Sequence, residues 1–256
     1  GHGNAIAQGY HHTILPLANP RDRETEVRWG IADFVERFGR RPAGMWLPEC
    51  AVDTPTLETL AAEGIEFTLL APRQVRAVKA PDHDWMDVGE DELDTRRPYR
   101  VQLPSGRSIV VFFYDGESSQ RVAFERLLDD GVRFADALVH GTGSPAYEAH
   151  LSHIATDGES YGHHHRFGEM ALAFALRTLE QDDEVELTNY AAFLARHPPT
   201  WQAQIREPSS WSCVHGVERW RSDCTCALGP SRPGDQAWRS PLRDALDWLR
   251  DEIHGF

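Results

Sequence analysis

A strand–helix–strand pattern in residues 43–70 limits the folds open to this chain more than any other feature. "AGMWLPE", residues 43–49, is a short apolar run ending in a proline and an acid. "DTPTLETLAAEG" follows, with Asp53 or Thr54 placed to cap a helix, Pro55 in its first turn and Gly64 just past its end. "IEFTLL", residues 65–70, is a second apolar strand. Strands joined by a helix through short links form a βαβ unit, and hence a parallel sheet.

The flanking sequence extends this α/β reading. Residues 24–38 put Val27, Ile31, Phe34, Val35 and Phe38 on one helical face, and Gly39 ends the helix. Residues 72–98 are polar and irregular, which predicts a long loop. "YRVQLPSGRSIVVFFY" predicts a hairpin around Pro104, Ser105 and Gly106, followed by helical stretches at 119–130 and 132–140. "LSHIAT", 151–156, reads as another strand, with helices at 166–180 and 188–196 and a break at Pro198 and Pro199. Residues 201–236 read as irregular and rich in Trp and Cys. In 241–253, Leu242, Leu246, Leu249 and Ile253 are expected to face inward. This divides the chain into a partial (β/α) barrel at 1–200 and a segment at 201–256 packing on it. About five strands are too few to close a barrel, so upstream strands are expected to be missing.

Acids at the carboxyl ends of parallel strands share one rim, where such folds build their sites. Glu49 closes "MWLPE" and Asp157 closes "HIATD". Two carboxylates flanking a bond are what glycoside hydrolysis needs: one protonates the leaving oxygen and the other attacks or activates water. Either acid alone reads equally as a helix cap. Asp115, after "VVFFY", is a substrate hydrogen-bond partner or a cap.

The charge balance narrows the partner. Against 26 basic residues stand 40 acidic ones, a formal net charge of −14, which opposes binding to nucleic acid or an anionic membrane surface. A neutral substrate fits better. Eight tryptophans exceed the needs of a core and suit stacking on sugar rings. No membrane span or signal pattern is evident, and four cysteines do not make a secreted disulfide scaffold, so a cytoplasmic setting is expected.

"YHHTILPLANPRD", "RFGRRPAGMWLPECAVD", "GIEFTLLAP", "IATDGESYGHHHRFGE" and "SSWSCVHGVERWRSDCTC" together resemble glycoside hydrolase family 57, in its branch of long bacterial proteins. The resemblance implies Glu49 as nucleophile and Asp157 as general acid/base. It further implies retaining action on α-glucans by hydrolysis, transfer or branching, on an incomplete (β/α)7 barrel without a metal or other cofactor. The family's first two motifs have no counterpart here and are expected upstream, in a missing part of the same polypeptide.

His163, His164 and His165 are consecutive and fan about 100° apart, so they cannot all face one metal. His163 or His164 is expected to bond substrate hydroxyls or Asp157, with His11 and His12 in a similar role; surface histidines are the alternative. Glu159 is placed to orient Asp157 or raise its pKa. Trp46 is as well suited to the core as to a sugar platform, whereas Trp211 and Trp220 are the better platform candidates. Cys50 reads as a small packing residue. Cys213, His215, Cys224 and Cys226 have donor types suited to structural zinc, at a spacing tighter than common zinc sites. Buried thiols or one disulfide are the favoured reading, and no metal ligand is assigned.

Two further readings stand beside a retaining glycosidase. One is a metal-dependent polysaccharide deacetylase, using Asp157 and histidines around a divalent ion. The other is a glycan-binding barrel fragment without catalysis. For the glycosidase, retention requires the two carboxyl groups about 5–5.5 Å apart.

Overall fold

A computed structural model of the chain describes residues 3–139, 150–226 and 235–254. The protein is mixed α/β. The strands are β1 (Ala7–Gln8), β2 (Met45–Trp46), β3 (Phe67–Leu70), β4 (Val75–Lys79), β5 (Met86–Asp87), β6 (Pro98–Gln102), β7 (Ser108–Phe113) and β8 (Trp201–Ile205). The helices longer than one turn are α1 (Pro20–Phe38), α2 (Thr54–Ala62), α3 (Gly116–Phe124), α4 (Gly131–Val139), α5 (Gly168–Glu180), α6 (Tyr190–Arg196) and α7 (Arg239–Ile253).

Helix ends follow local chemistry. Asn19 caps α1 by accepting from Asp22 N at 2.8 Å, and Gly39, at φ 66°, closes it with a bond to Val35 O. Asp53 caps α2 through Thr56 N. Asp115 caps α3 through Ser118 N at 3.0 Å.

Four strands build one parallel wall. β1 pairs with β2, Gly44 just before β2 bridges Phe67 of β3, and β3 pairs with β7, every contact parallel. Their carboxyl ends therefore share one rim. Gly44 is needed at its position because a Cβ would meet the Phe67 ring at 2.3 Å. Beyond β7 the sheet turns mixed, in the order β3-β7-β6-β8-β4-β5. The predicted β6–β7 hairpin is present, with Gly106 at φ 85° in its turn. The main core lies between this wall and helices α1 and α2, with Val27, Leu47, Leu57, Leu60 and Val111 at most 0% exposed.

Several sequence expectations need correction. Residues 72–98 contain β4 and β5, and 201–205 form β8 between β6 and β4. "RAVKA" and "WQAQI" are short and interrupted by polar residues, which reads as loop when the pairing partner is unknown. "LSHIAT" is not a strand. It runs along the sheet through isolated bonds, Leu151 N to Arg96 O and Asp115 N to His153 O, each 2.9 Å. Val35 and Phe38 lie at the edge of the α1 face, 37% exposed. Leu242, Leu246, Leu249 and Ile253 do not face inward; all are exposed on α7, which buries no residue among those described. Residue 140, and residues 227–234, 255 and 256 of the C-terminal segment, lie outside the described residues.

Candidate active site

The rim of the parallel wall gathers three chain segments. After β2 the chain passes Leu47 and Pro48 into a single 3-10 turn, in which Glu49 (φ 58°) and Cys50 (φ 49°) both adopt left-handed backbone. A non-glycine residue in this region is uncommon, and two in succession turn the chain sharply. The turn lifts the Glu49 side chain out of the strand alternation.

Residues 209–212 hold that turn in place. Val52 and Ser209 exchange both backbone bonds, at 2.9 and 3.0 Å, and Trp211 N donates to Glu49 O at 3.0 Å. Buried Gln74 ties the two segments together, its side-chain N–H donating to Cys50 O and to Ser209 Oγ. The Glu49 carboxylate is then fixed by two donors on one oxygen: Trp211 Nε1 at 2.8 Å and Ser212 Oγ at 2.7 Å from Oε2. The other oxygen, Oε1, lies 3.8 Å from His12 Nε2.

Asp157 sits opposite in the electrostatics of the rim. Partial desolvation first, then the negative charges of Glu49 and Glu159, raise its carboxyl above the usual range; His164 and His12 offset part of this. A carboxylate fixed in place by two donors thus lies near one whose proton is retained more tightly than usual. Divergent environments of this kind separate the roles of two acids.

Other rim residues have more local duties. His11 donates its backbone N–H to Glu26 and sets its ring Nδ1 2.7 Å from Glu26 Oε1, anchoring the β1 loop to α1. His12, at φ 56°, is the one that turns toward Glu49. Glu159 lies 3.3 Å from His164 Nε2, and its carbonyl accepts from the N–H groups of His163 and His164. His163 stacks edgewise on His164, while His165 contacts Ala123 O. Trp46 is partly buried against two core clusters and packs edgewise on Trp211, with ring centroids 5.1 Å apart. It backs the tryptophan that holds Glu49. Asp115 serves as the cap of α3 and borders a cavity of about 550 Å³ that includes neither carboxylate. Trp220 lies in the 3-10 turn Glu218–Trp220 and makes no hydrogen bond to either acid among the described residues.

Burial pushes the Cys50 thiol well up, and the charges of Glu49 and Asp157 push it further, so it stays a neutral packing group. Sequence reading missed Ser212, the second donor to Glu49, because a serine in an irregular segment carries no positional signal. Tyr114, buried with its ring centroid 6.3 Å from that of Trp211, was missed because it reads as one more apolar residue at the end of β7.

Asp157 and the histidines do not assemble into a metal-binding group. Among the described residues, three or more His, Cys, Asp or Glu donors converge only at Cys213, His215, Cys224 and Cys226. No helix among those residues is long and apolar enough to cross a membrane.

Residues 1–205 match the profile of glycosyl hydrolase family 57. The chain belongs to that family. Over 40 residues this family 57 chain is 50% identical to a probable 1,4-alpha-glucan branching enzyme of Mycobacterium tuberculosis, covering 16% of this chain and 8% of that protein. Over 140 residues it is 26% identical to a 1,4-alpha-glucan branching enzyme of Thermococcus kodakarensis, covering 48% of this chain and 20% of that one. In structure it resembles an exo-type maltose-forming amylase from a Pyrococcus species, with TM-score 0.77 and 17% identity over 97% of this chain and 45% of that protein. At that identity the likeness is one of fold. The family 57 chain spans less than half the length of each of these relatives.

Proposed function

We propose that Glu49 and Asp157 are the nucleophile and the general acid/base of a retaining enzyme acting on α-glucans. The observation that carries this reading is the asymmetry of the two carboxyl groups. Glu49 is fixed by hydrogen bonds from Trp211 and Ser212 to one of its oxygens, whereas Asp157, partly desolvated and facing Glu49 and Glu159, keeps its proton above the ordinary carboxylate range. In the first step a Glu49 oxygen bonds to the anomeric carbon, the glycosidic C–O bond breaks, and Asp157 gives its proton to the departing oxygen. Once Glu49 is esterified its charge is gone, so the Asp157 carboxyl becomes more acidic. It then takes a proton from water or a sugar hydroxyl, which attacks the same carbon and frees Glu49. Water as acceptor gives hydrolysis; a sugar hydroxyl gives transfer or branching.

The branching enzymes and the amylase among its relatives support an α-linked glucan as substrate. The exposed His163 and His164 are suited to contacting sugar hydroxyls. Four free cysteines suit a cytoplasmic setting.

The test is mass spectrometry of the whole protein after incubation with a fluorinated α-glucosyl donor, with wild type and Glu49→Gln compared. A glycosyl adduct mapping to the peptide of Glu49 and absent from the variant is expected. An adduct elsewhere, or retained in Glu49→Gln, overturns the assignment.

A further inference from the structure

The active-site reading leaves one cluster of reactive side chains unused. Cys213, His215, Cys224 and Cys226 place one donor atom each within 4.8 Å of all the others. Cys213 Sγ lies 3.9 Å from Cys224 Sγ and 3.7 Å from Cys226 Sγ, and Cys226 Sγ lies 3.4 Å from His215 Nδ1. A tetrahedral zinc ion with ordinary bond lengths sets its sulfur atoms about 3.8 Å apart and its sulfur and nitrogen atoms about 3.6 Å apart. Three of the donor separations match the edges of such a tetrahedron, and every other pair lies within 4.8 Å. A disulfide brings two sulfurs to about 2.05 Å and leaves the other donors unaccounted for. A two-iron cluster would spread its ligands into two separated pairs, which these four are not.

We propose that these four residues bind a single divalent metal ion of the zinc class in a closed, structural site. Three thiolates and an imidazole are soft ligands, which select zinc over magnesium or calcium. All four coordination positions are filled by the protein, so no position remains for a reactive water. Three thiolates around a divalent ion leave one net negative charge, and Arg239 Nη1 lies 3.9 Å from Cys224 Sγ. Binding releases the thiol protons to solvent.

The short C-x-H and C-x-C spacings are accommodated by the backbone. A turn from Gly216 N to Cys213 O, with Gly216 at φ 82°, wraps His215 back over Cys213. A Cβ at Gly216 would meet Pro208 O at 2.4 Å. Thr225, at φ 59°, bends the chain between the other two cysteines.

The location gives the ion its purpose. Residues 206–226 have no regular structure beyond one 3-10 turn, yet Trp211 and Ser212 within them hold the Glu49 carboxylate. The cluster begins at the next residue, Cys213. An ion there crosslinks a loop that lacks a core of its own and so fixes the two donors.

Metal content tests the proposal without any substrate, so its outcome is independent of the catalytic reading. Elemental analysis of the purified protein is expected to find one zinc per chain, lost in Cys224→Ser and in His215→Ala and kept in Cys50→Ser. Cobalt substitution is expected to give the visible absorption of a tetrahedral thiolate site. Because a cluster variant risks misfolding, wild type is also treated with a mercurial thiol reagent in the presence of a zinc indicator. Release of one equivalent is expected. Hydrogen exchange on the chelated protein should then show lost protection at 209–226 with β7 unchanged. Metal-free protein with freely reactive thiols that gains no stability from added zinc overturns the site, as does an intact mass showing a disulfide among these cysteines. Unchanged protection at 209–214 after metal removal overturns the crosslinking role.

Discussion

The indole N–H of Trp211 donates to Glu49 Oε2 at 2.8 Å across 162 positions of sequence, and Ser212 Oγ donates to the same oxygen. One carboxylate oxygen thereby takes both bonds, while Oε1 faces His12 Nε2 at 3.8 Å. Hydrogen bonds to a charged group contribute about 1.5–3 kcal/mol each. Ser212→Ala and Trp211→Phe are therefore expected to lower kcat roughly ten- to a hundredfold. Steady-state kinetics on an α-glucan checks this; a change in KM alone would mean the donors do not act on the reacting group.

The pH profile follows from Asp157. An acid that must be protonated in the first step loses activity as pH rises through its raised pKa. Glu159 contributes to that raise, so Glu159→Gln lets the proton go sooner and moves the alkaline limb of kcat/KM to lower pH. The displacement should shrink with added salt, since Glu159 is exposed. A limb that stays in place would remove Glu159 from this role.

His153 ties stability to pH. It is buried between Tyr190 Oη and Thr95 O, each 3.0 Å away, and burial holds its imidazole down to about 4. The unfolded chain takes up a proton near pH ~6.5, where the folded protein does not. This contribution to stability is complete above that pH and is lost as pH falls toward 4, by about 3 kcal/mol in total. Urea unfolding at several pH values should show the loss, and His153→Gln should flatten that part of the curve.

Gly30 sets how closely α1 approaches β1. A Cβ there would lie 2.1 Å from Gln8 O, a backbone atom that cannot swing aside. Gly30→Ala is expected to cost at least about 1–3 kcal/mol and to shift the loop carrying His11 and His12. Thermal unfolding checks the first effect. A variant as stable as wild type would show that the helix is free to move outward.

Much of this architecture was legible because it rests on local chemistry. The βαβ unit, the caps at Asp53 and Asp115, the hairpin at Gly106 and the helices at 24–38 and 166–180 each follow from residues close in sequence. β4, β5 and β8 were not legible, since strands of two to five residues are defined by their neighbours in the sheet. The strand reading of 151–156 failed for the opposite reason: a partly apolar run was present, but only isolated bonds with Arg96 and Asp115 were available. At the site, Glu49 stood out by its position just after β2, whereas the same argument for Asp157 rested on a strand at 151–156 that does not form. Ser212 and the convergence of the cysteine cluster emerge only when residues 209–226 fold back on the rim. The apolar face of 241–253 was read correctly as a stripe, but its direction was not in the sequence.

The left-handed backbone at Glu49 sets the preferences of main chain and side chain against each other. Holding a non-glycine residue there costs on the order of 1–3 kcal/mol, and glycine or asparagine would sit at φ 58° with less strain. That cost is offset by the bonds the Glu49 side chain accepts from Trp211 and Ser212, which glycine would forfeit. The side chain at 49 thus holds its own peptide in a conformation that the peptide alone would not prefer.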